Sequence, residues 1–447
     1  MYRDRFNVLY GDPKTVNEDH MDSGRRLSFF ESTLQQANLE LFSSTIYCWA
    51  RGTGPVELDH VRSAMELMHR AHPLLRSRID GPPGEFRFVT DVPFNDVPLD
   101  MVEIAPDADI NSIIEPWMND PFSGKAYTWA GRFIRESGTQ RWWLAVATHH
   151  SITDGHAALS LLDQCGRLLG EMVEGRTPTV PDFPMPDPIE HQLDPPGSME
   201  HWTRIGEGWA ERIGEISHWP INESAEFKDR RCCNTYRVHD EAFSRRLVDR
   251  CHEERTTVQG ALASAVVMGI SEHLGHAIDI DTITPVDLRR FSDLDIHPDE
   301  IACKVMCIDT GSFGISQDSD PWEVARAYTS AIEQQLQEAY YPPLDFTSDD
   351  ITSSTGGWLT SDGRHTHGFA LTNTGLLRIK GNYGPVQFEE VDVTAAVRFG
   401  GFPVLLSVYT YRNRLRCTYT WTEPILSHAD ALSLADAVEE RLAQMIR

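Results

Sequence analysis

The chain has 447 residues, 40% hydrophobic and 24% charged, which is long and apolar enough for two or three domains with ample core. Its 67 acidic against 40 basic side chains give a formal charge of -27, and no dense Lys/Arg stripe offsets them, which argues against a nucleic-acid partner. A small basic patch for an anionic co-substrate survives such a balance, whereas no apolar run of about 18 residues exists to span a membrane.

The predicted elements begin at Ser28, followed three residues later by Glu31, a capping-box spacing at the head of the helix FFESTLQQAN. TIYCWARG reads as a strand. In LDHVRSAMELMHRAHPLLRSRI, Val61, Met65, Met68 and Leu75 recur at helical spacing, and the pattern closes at His72-Pro73. Strand-like FRFV, a helix in INSIIEPWMN, and a hairpin of AGRFIRES with RWWLAVATHH follow. After a turn, Ala158, Leu161, Leu162, Cys165, Leu168 and Leu169 form one apolar stripe of an amphipathic helix. Segment 177–199 carries seven prolines and reads as an extended crossover, dividing the chain into 1–176 and 200–447.

In the second part EAFSRRLVDRCHEE and TVQGALASAVVMGISEHL read as helices, the latter apolar nearly all round and therefore buried. AIDIDTITPVDLRRF is a strand running into a loop, CKVMCIDT a strand, and PWEVARAYTSAIEQQLQEA a long helix. GFALTNTGLLRI, VQFEEVDVTAAV and a hairpin turning at Arg412-Asn413 supply further strands, and Ser427 caps a terminal helix. Strands and helices mixed without strict βαβ alternation predict an α+β or mixed-sheet fold.

The eight cysteines, Cys48, Cys165, Cys232, Cys233, Cys251, Cys303, Cys307 and Cys417, offer neither a CxxC pair nor a zinc-ribbon spacing. They read as small buried hydrophobes, with Cys303 and Cys307 on one face of a strand. Together with an N-terminus, MYRDRFNVLYGD, that lacks a signal-peptide core, they predict a reducing, cytoplasmic setting.

Chemistry concentrates in THHSITDGH, residues 148–156, between an apolar strand and an apolar helix. Three readings of it stand side by side. It can be a polar turn with incidental histidines. It can be a metal site built from His149, His150, Asp154 and His156, although adjacent residues on a strand point to opposite faces. Or His150, at the strand end, is a general base that takes a proton from a hydroxyl or amine, with Gly155 permitting a tight reversal and Asp154 orienting the loop through a distant Arg.

HHSITDG resembles the HHxxxDG signature of the superfamily that contains chloramphenicol acetyltransferase, nonribosomal-peptide condensation domains, plant BAHD acyltransferases and mycobacterial polyketide-associated acyltransferases. AHPLLRSRI, ITPVDLRRF, ALTNTG and the hairpin LLSVYTYRNRLRCTYTW resemble further family segments, while the plant subgroup's DFGWG is absent. The resemblance implies an α+β fold of two chloramphenicol-acetyltransferase-like subdomains, each a mixed sheet with helices, meeting at a tunnel. It implies a stand-alone acyltransferase with His150 as base, Asp154 in a structural ion pair with Arg289, His149 in a packing role, and Gly155 leaving room at the channel. Thr372 and Asn373 are the oxyanion candidates. No bound cofactor is implied; the co-substrate is acyl-CoA or a phosphopantetheinyl thioester on a carrier protein acting in trans. Arg412, Arg414 and Arg416, at alternating positions, are candidates for donor binding or a solvated strand edge. A free-standing condensation enzyme using a carrier-bound aminoacyl group, and a catalytically silent binding protein, are the alternatives.

Overall fold

A computed structural model describes residues 24–447 apart from 107, 121, 123, 195, 214–218, 220–221, 292–295, 316–317, 338–340, 355–364, 366 and 399–400. Helix α1 (Phe29–Leu41) starts with the predicted capping box: Ser28 Oγ accepts the Glu31 N–H at 3.3 Å, and Glu31 Oε2 accepts the Ser28 N–H at 2.9 Å. Then come β1 (Thr45–Thr53), α2 (Leu58–Ala71), β2 (Arg78–Asp80), β3 (Arg87–Val89), β4 (Leu99–Ile104), α3 (Asn111–Met118), and the hairpin β5 (Trp129–Glu136) and β6 (Arg141–His149). Helix α4 (Gly155–Val173) carries the apolar stripe, and α5 (Met199–Ile213) lies outside the elements predicted from sequence.

The second half comprises β7 (Arg231–Val238), α6 (Glu241–Glu253), α7 (Val258–Leu274), β8 (Ile278–Asp287), β9 (Val305–Ile315), α8 (Pro321–Gln337) and α9 (Ser348–Ser354). It ends with β10 (Phe369–Leu376), β11 (Asn382–Tyr383), β12 (Val386–Ala395), β13 (Val404–Tyr411), β14 (Arg414–Glu423) and α10 (His428–Met445). Arg412 and Asn413 turn the β13–β14 hairpin with φ of 50° and 62°, the left-handed pair that matches strand twist. Ser427 caps α10 as expected.

The strands form two mixed six-stranded sheets, β11-β12-β1-β6-β5-β4 and β7-β14-β13-β10-β8-β9. Strand β4 runs parallel to β5, and β10 runs parallel to both β8 and β13. Strands β11 and β12, from beyond the proline-rich segment, complete the first sheet beside β1, and Ile351 of α9 joins the same core. Burial explains why TIYCWARG shows no polar face. Ile46, Cys48 and Ala50 pack with α2 and α4 on one side of the sheet. Tyr47 and Trp49, on the other side, join Cys232, Ala370 and Leu405 of the second lobe. Helix α7, buried from Gly260 through Ser271, forms the centre of the second lobe's core, as its apolar circumference predicts.

A buried ion pair links β14 of the second sheet to β12 of the first. Arg416 Nη2 on β14 donates to Asp392 Oδ2 on β12 at 2.9 Å, and the hydroxyls of Tyr409 and Thr418 donate to Asp392 Oδ1 at 3.0 Å. Among the described residues no helix is long and apolar enough to cross a membrane.

Candidate active site

His150 stands one residue beyond β6. Its N–H donates to the Ser44 carbonyl at 2.8 Å, extending the β1–β6 ladder past the Thr45–His149 pair. The chain then reverses: Ile152 N–H reaches the His149 carbonyl at 3.0 Å, and Ser151 Oγ donates to the Glu31 carbonyl at 2.9 Å. Within this turn His150 Nδ1 lies 2.8 Å from the Thr153 carbonyl. A carbonyl only accepts, so Nδ1 carries the proton and Nε2 keeps its lone pair. Burial draws the His150 pKa below its usual 6.5, against the opposing pull of the Thr153 carbonyl and the Asp154 charge. At neutral pH the ring is therefore an uncharged base.

Asp154 caps α4, its Oδ1 accepting the Ala157 N–H at 2.9 Å. Its Oδ2 accepts from Arg289 Nη1 and from the Lys304 N–H, each at 2.8 Å. Arg289 also donates to Asp287 Oδ1 at 3.0 Å and to the Ala302 carbonyl at 3.2 Å. Burial alone would raise the Asp154 carboxyl; the Arg289 charge and these donors overcome it and hold the pKa below the usual carboxylate range. The pair expected between Asp154 and Arg289 is thus present, and it ties the turn of the first lobe to the β8–β9 connection of the second.

His149 faces the other way. Its Nδ1 accepts the Ser151 N–H at 3.1 Å, its ring lies 6.2 Å from that of Phe122, and burial together with His150 pushes its pKa down to about 3. His156 is exposed, 3.8 Å from Asp287 Oδ2. These rings diverge, so the reading of His149, His150, Asp154 and His156 as one ligand set has no geometry behind it.

His150, Asp154 and Gly155 line a cavity of about 620 Å³ between the lobes, roofed by α1 and α5 and floored by β8, β9, β10, β12 and β13. The ring is not sealed in packed core. Gly155 does not serve the expected reversal: its φ lies outside the left-handed region, and a Cβ there would meet Thr374 Oγ1 at an ordinary 3.7 Å. Of the oxyanion candidates, Thr372 lines the cavity, whereas Asn373 faces away and its Oδ1 accepts the Gly375 N–H at 2.9 Å. Neighbours on a strand must part in this way. Thr374, two residues beyond Thr372 and so on the same strand face, also lines the cavity.

The donor-binding candidates need correction. Arg412 sits in the hairpin turn rather than on the strand and donates to the Gly381 carbonyl at 3.0 Å. Arg416 is buried against Asp392, with Trp49 and Tyr236 rings beneath its guanidinium. Arg414 is exposed, and none of the three lines the cavity. Arg414→Ala is accordingly expected to leave the donor KM within about twofold of wild type, a surface change of little energetic weight. Among the described residues, the Lys or Arg that lines the cavity is Arg204, on α5. Cys303 precedes β9 and is buried, while Cys307 on β9 reaches the cavity wall, so the two do not share one buried strand face. The AHPLL segment is structural: His72 stacks on Phe183 of the proline-rich crossover at 4.4 Å, and its Nε2 meets Gln164 Oε1 at 3.1 Å.

No protein-family model matches the chain. One curated relative, the nonribosomal peptide synthetase penN of Penicillium thymicola, is 26% identical over 128 residues, 28% of this chain but only 4% of that synthetase. Solved structures match over nearly the full length. Trichothecene 15-O-acetyltransferase TRI3 from Fusarium sporotrichioides has a TM-score of 0.75 at 11% identity, covering 94% of this chain and 95% of its own. Polyketide synthase associated protein 5 from Mycobacterium tuberculosis has a TM-score of 0.71 at 15% identity, covering 94% and 98%. The first condensation domain of the CDA synthetase has a TM-score of 0.68 at 13% identity, covering 95% and 96%. The chain therefore shares its fold, two mixed sheets with helices, with TRI3, polyketide synthase associated protein 5 and the CDA condensation domain.

Proposed function

We propose that the protein is an acyltransferase that moves an acyl group from a thioester to a hydroxyl or amine. The donor is acyl-CoA or an acyl group on a carrier protein supplied in trans, and the product belongs to secondary-metabolite or lipid synthesis. The observation that carries this reading is His150, its Nδ1 pinned by the Thr153 carbonyl at 2.8 Å and its ring on the wall of an inter-lobe cavity. Nε2 takes the acceptor proton as the acceptor oxygen or nitrogen bonds to the thioester carbon. The tetrahedral oxyanion collapses, the carbon–sulfur bond breaks, and the imidazolium returns its proton to the departing thiolate. Holding both reactants beside one base supplies much of the acceleration.

A covalent acyl-enzyme is not required. Cys303 Sγ lies 3.9 Å from His150 Nδ1, but that nitrogen is occupied, and burial followed by the Asp154 charge raises the thiol well above its ordinary range. Thr372 and Thr374, which line the cavity, are the proposed donors to the oxyanion. Thr372→Val or Thr374→Val is expected to lower kcat by about 10²-fold if its hydroxyl donates there. Asn373→Ala, on the opposite face, should leave kcat within about twofold. Steady-state rates of the three variants check this division.

The stretch similar to a peptide synthetase favours a second reading, condensation with a carrier-bound aminoacyl group. Thiol release, followed with acyl-CoA, acyl-carrier and aminoacyl-carrier donors against alcohol and amine acceptors, separates the two. A folded protein that releases no thiol with any donor would be the silent binding protein instead. Eight unpaired cysteines are in keeping with a cytoplasmic enzyme.

A further inference from the structure

Building on that reaction, we infer that the cavity takes a large, uncharged, apolar group, either an aliphatic acyl chain of medium length or an equally apolar acceptor, and rejects an aminoacyl group. Its walls are predominantly hydrocarbon, with Phe29, Leu34, Ile46, Ile283, Ile308 and Leu405 contributed by both lobes. About 620 Å³ is far more than an acetyl group fills and lies in the range of pockets that enclose a drug-sized ligand. An α-ammonium entering this space would need a carboxylate partner. The carboxylates among the described lining residues are Asp154 and Asp309. Asp154 is neutralised by Arg289 and also holds the Lys304 N–H, Asp309 holds the Gly311 N–H at 2.7 Å, and Arg204 on the same wall opposes a further positive charge. An ammonium left unpaired against apolar walls is strongly disfavoured.

Size selection has a structural handle on α5. Gly208 lines the cavity in a helix that needs no glycine for its backbone, and a Cβ built there meets no atom within 4 Å. Glycine in a helix interior is otherwise unfavourable, so this position leaves open space at the expense of helix stability.

Calorimetric titration of the His150→Ala protein, in which turnover is blocked, tests the inference with butanoyl-, octanoyl- and dodecanoyl-CoA and, separately, with 1-butanol and 1-octanol. In one of the two series the Kd is expected to fall about threefold to fourfold per added methylene until the cavity is full. The series that responds identifies the chain as donor or acceptor. 2-Aminooctanoyl-CoA should bind at least about tenfold more weakly than octanoyl-CoA. Gly208→Leu should move the plateau to shorter chains while the melting temperature holds or rises. Affinity that ignores chain length in both series, or equal binding of the amino-substituted thioester, overturns the inference. Thiol release by the wild-type enzyme is scored apart: chain-dependent binding without any transfer sinks the reaction and leaves the apolar site standing, and transfer without chain dependence does the reverse.

Discussion

Replacing His150 by alanine is expected to lower kcat by about 10²–10⁴-fold, the usual contribution of a positioned general base. The side chain bonds to the Thr153 carbonyl, with Cys303 Sγ a distant 3.9 Å neighbour, and the ring borders a cavity, so the melting temperature should barely move. Loss of rate without loss of fold separates a chemical role from a packing one. The pH profile supplies an independent readout. The base acts only when neutral, and burial depresses its pKa below 6.5, so kcat/KM should rise with pH through a midpoint below 6.5 and stay level across neutrality. Wild-type turnover by the alanine variant, or a midpoint above 6.5, would mean that another group carries the proton.

Asp154→Ala should damage both stability and activity. It removes the N-cap of α4 and leaves the partly buried Arg289 guanidinium with Asp287 as its remaining carboxylate at 3.0 Å. Breaking a buried pair on one side costs about 3–5 kcal/mol, and the Asp287 contact places the expectation near the lower figure. Chemical denaturation should report it as a fall in midpoint with the slope unchanged. Because Asp154 also anchors the Lys304 N–H, the β8–β9 connection that floors the cavity should loosen and kcat should fall with the stability. Asp154→Asn keeps a capping oxygen and loses only the charge, so its stability should lie between the two. The linkage has a definite sign. A carboxyl whose folded pKa is depressed stabilises the fold above its unfolded value, and this is lost as the pH falls through the depressed native one. The acid limb of the wild-type stability curve should therefore flatten in Asp154→Ala. Full activity with an unchanged melting temperature would take the Asp154–Arg289 pair out of the mechanism.

His149 adds to the same acid limb by a different route. Its ring is buried and its pKa is pushed down to about 3, so the unfolded chain takes up a proton near pH 6.5 that the folded protein refuses. Stability attributable to its neutral form is present above pH 6.5 and declines towards about pH 3.

What the sequence by itself determined is local. The Ser28–Glu31 capping box, the β5–β6 hairpin, the helix α7 buried on every side, and the strand–turn–helix holding His150 and Asp154 all follow from short-range hydrogen bonds and from hydrophobic periods of two or about 3.6 residues. Arg289 as the partner of Asp154 was legible through the family resemblance, not through spacing. Only the tertiary structure decided which face meets which lobe. Arg414 and Arg416 alternate on β14 as a donor-binding strand would, yet β12 crosses into the first sheet and brings Asp392 against Arg416, turning that guanidinium into an inter-lobe tie. Arg204 reaches the cavity because α5, from beyond the proline-rich segment, packs beside it. Alternation tells which side chains travel together along an element. The partner they meet is set by pairing between segments far apart in the chain, where burial and charge compensation of the whole assembly, rather than any local pattern, determine the lowest free energy.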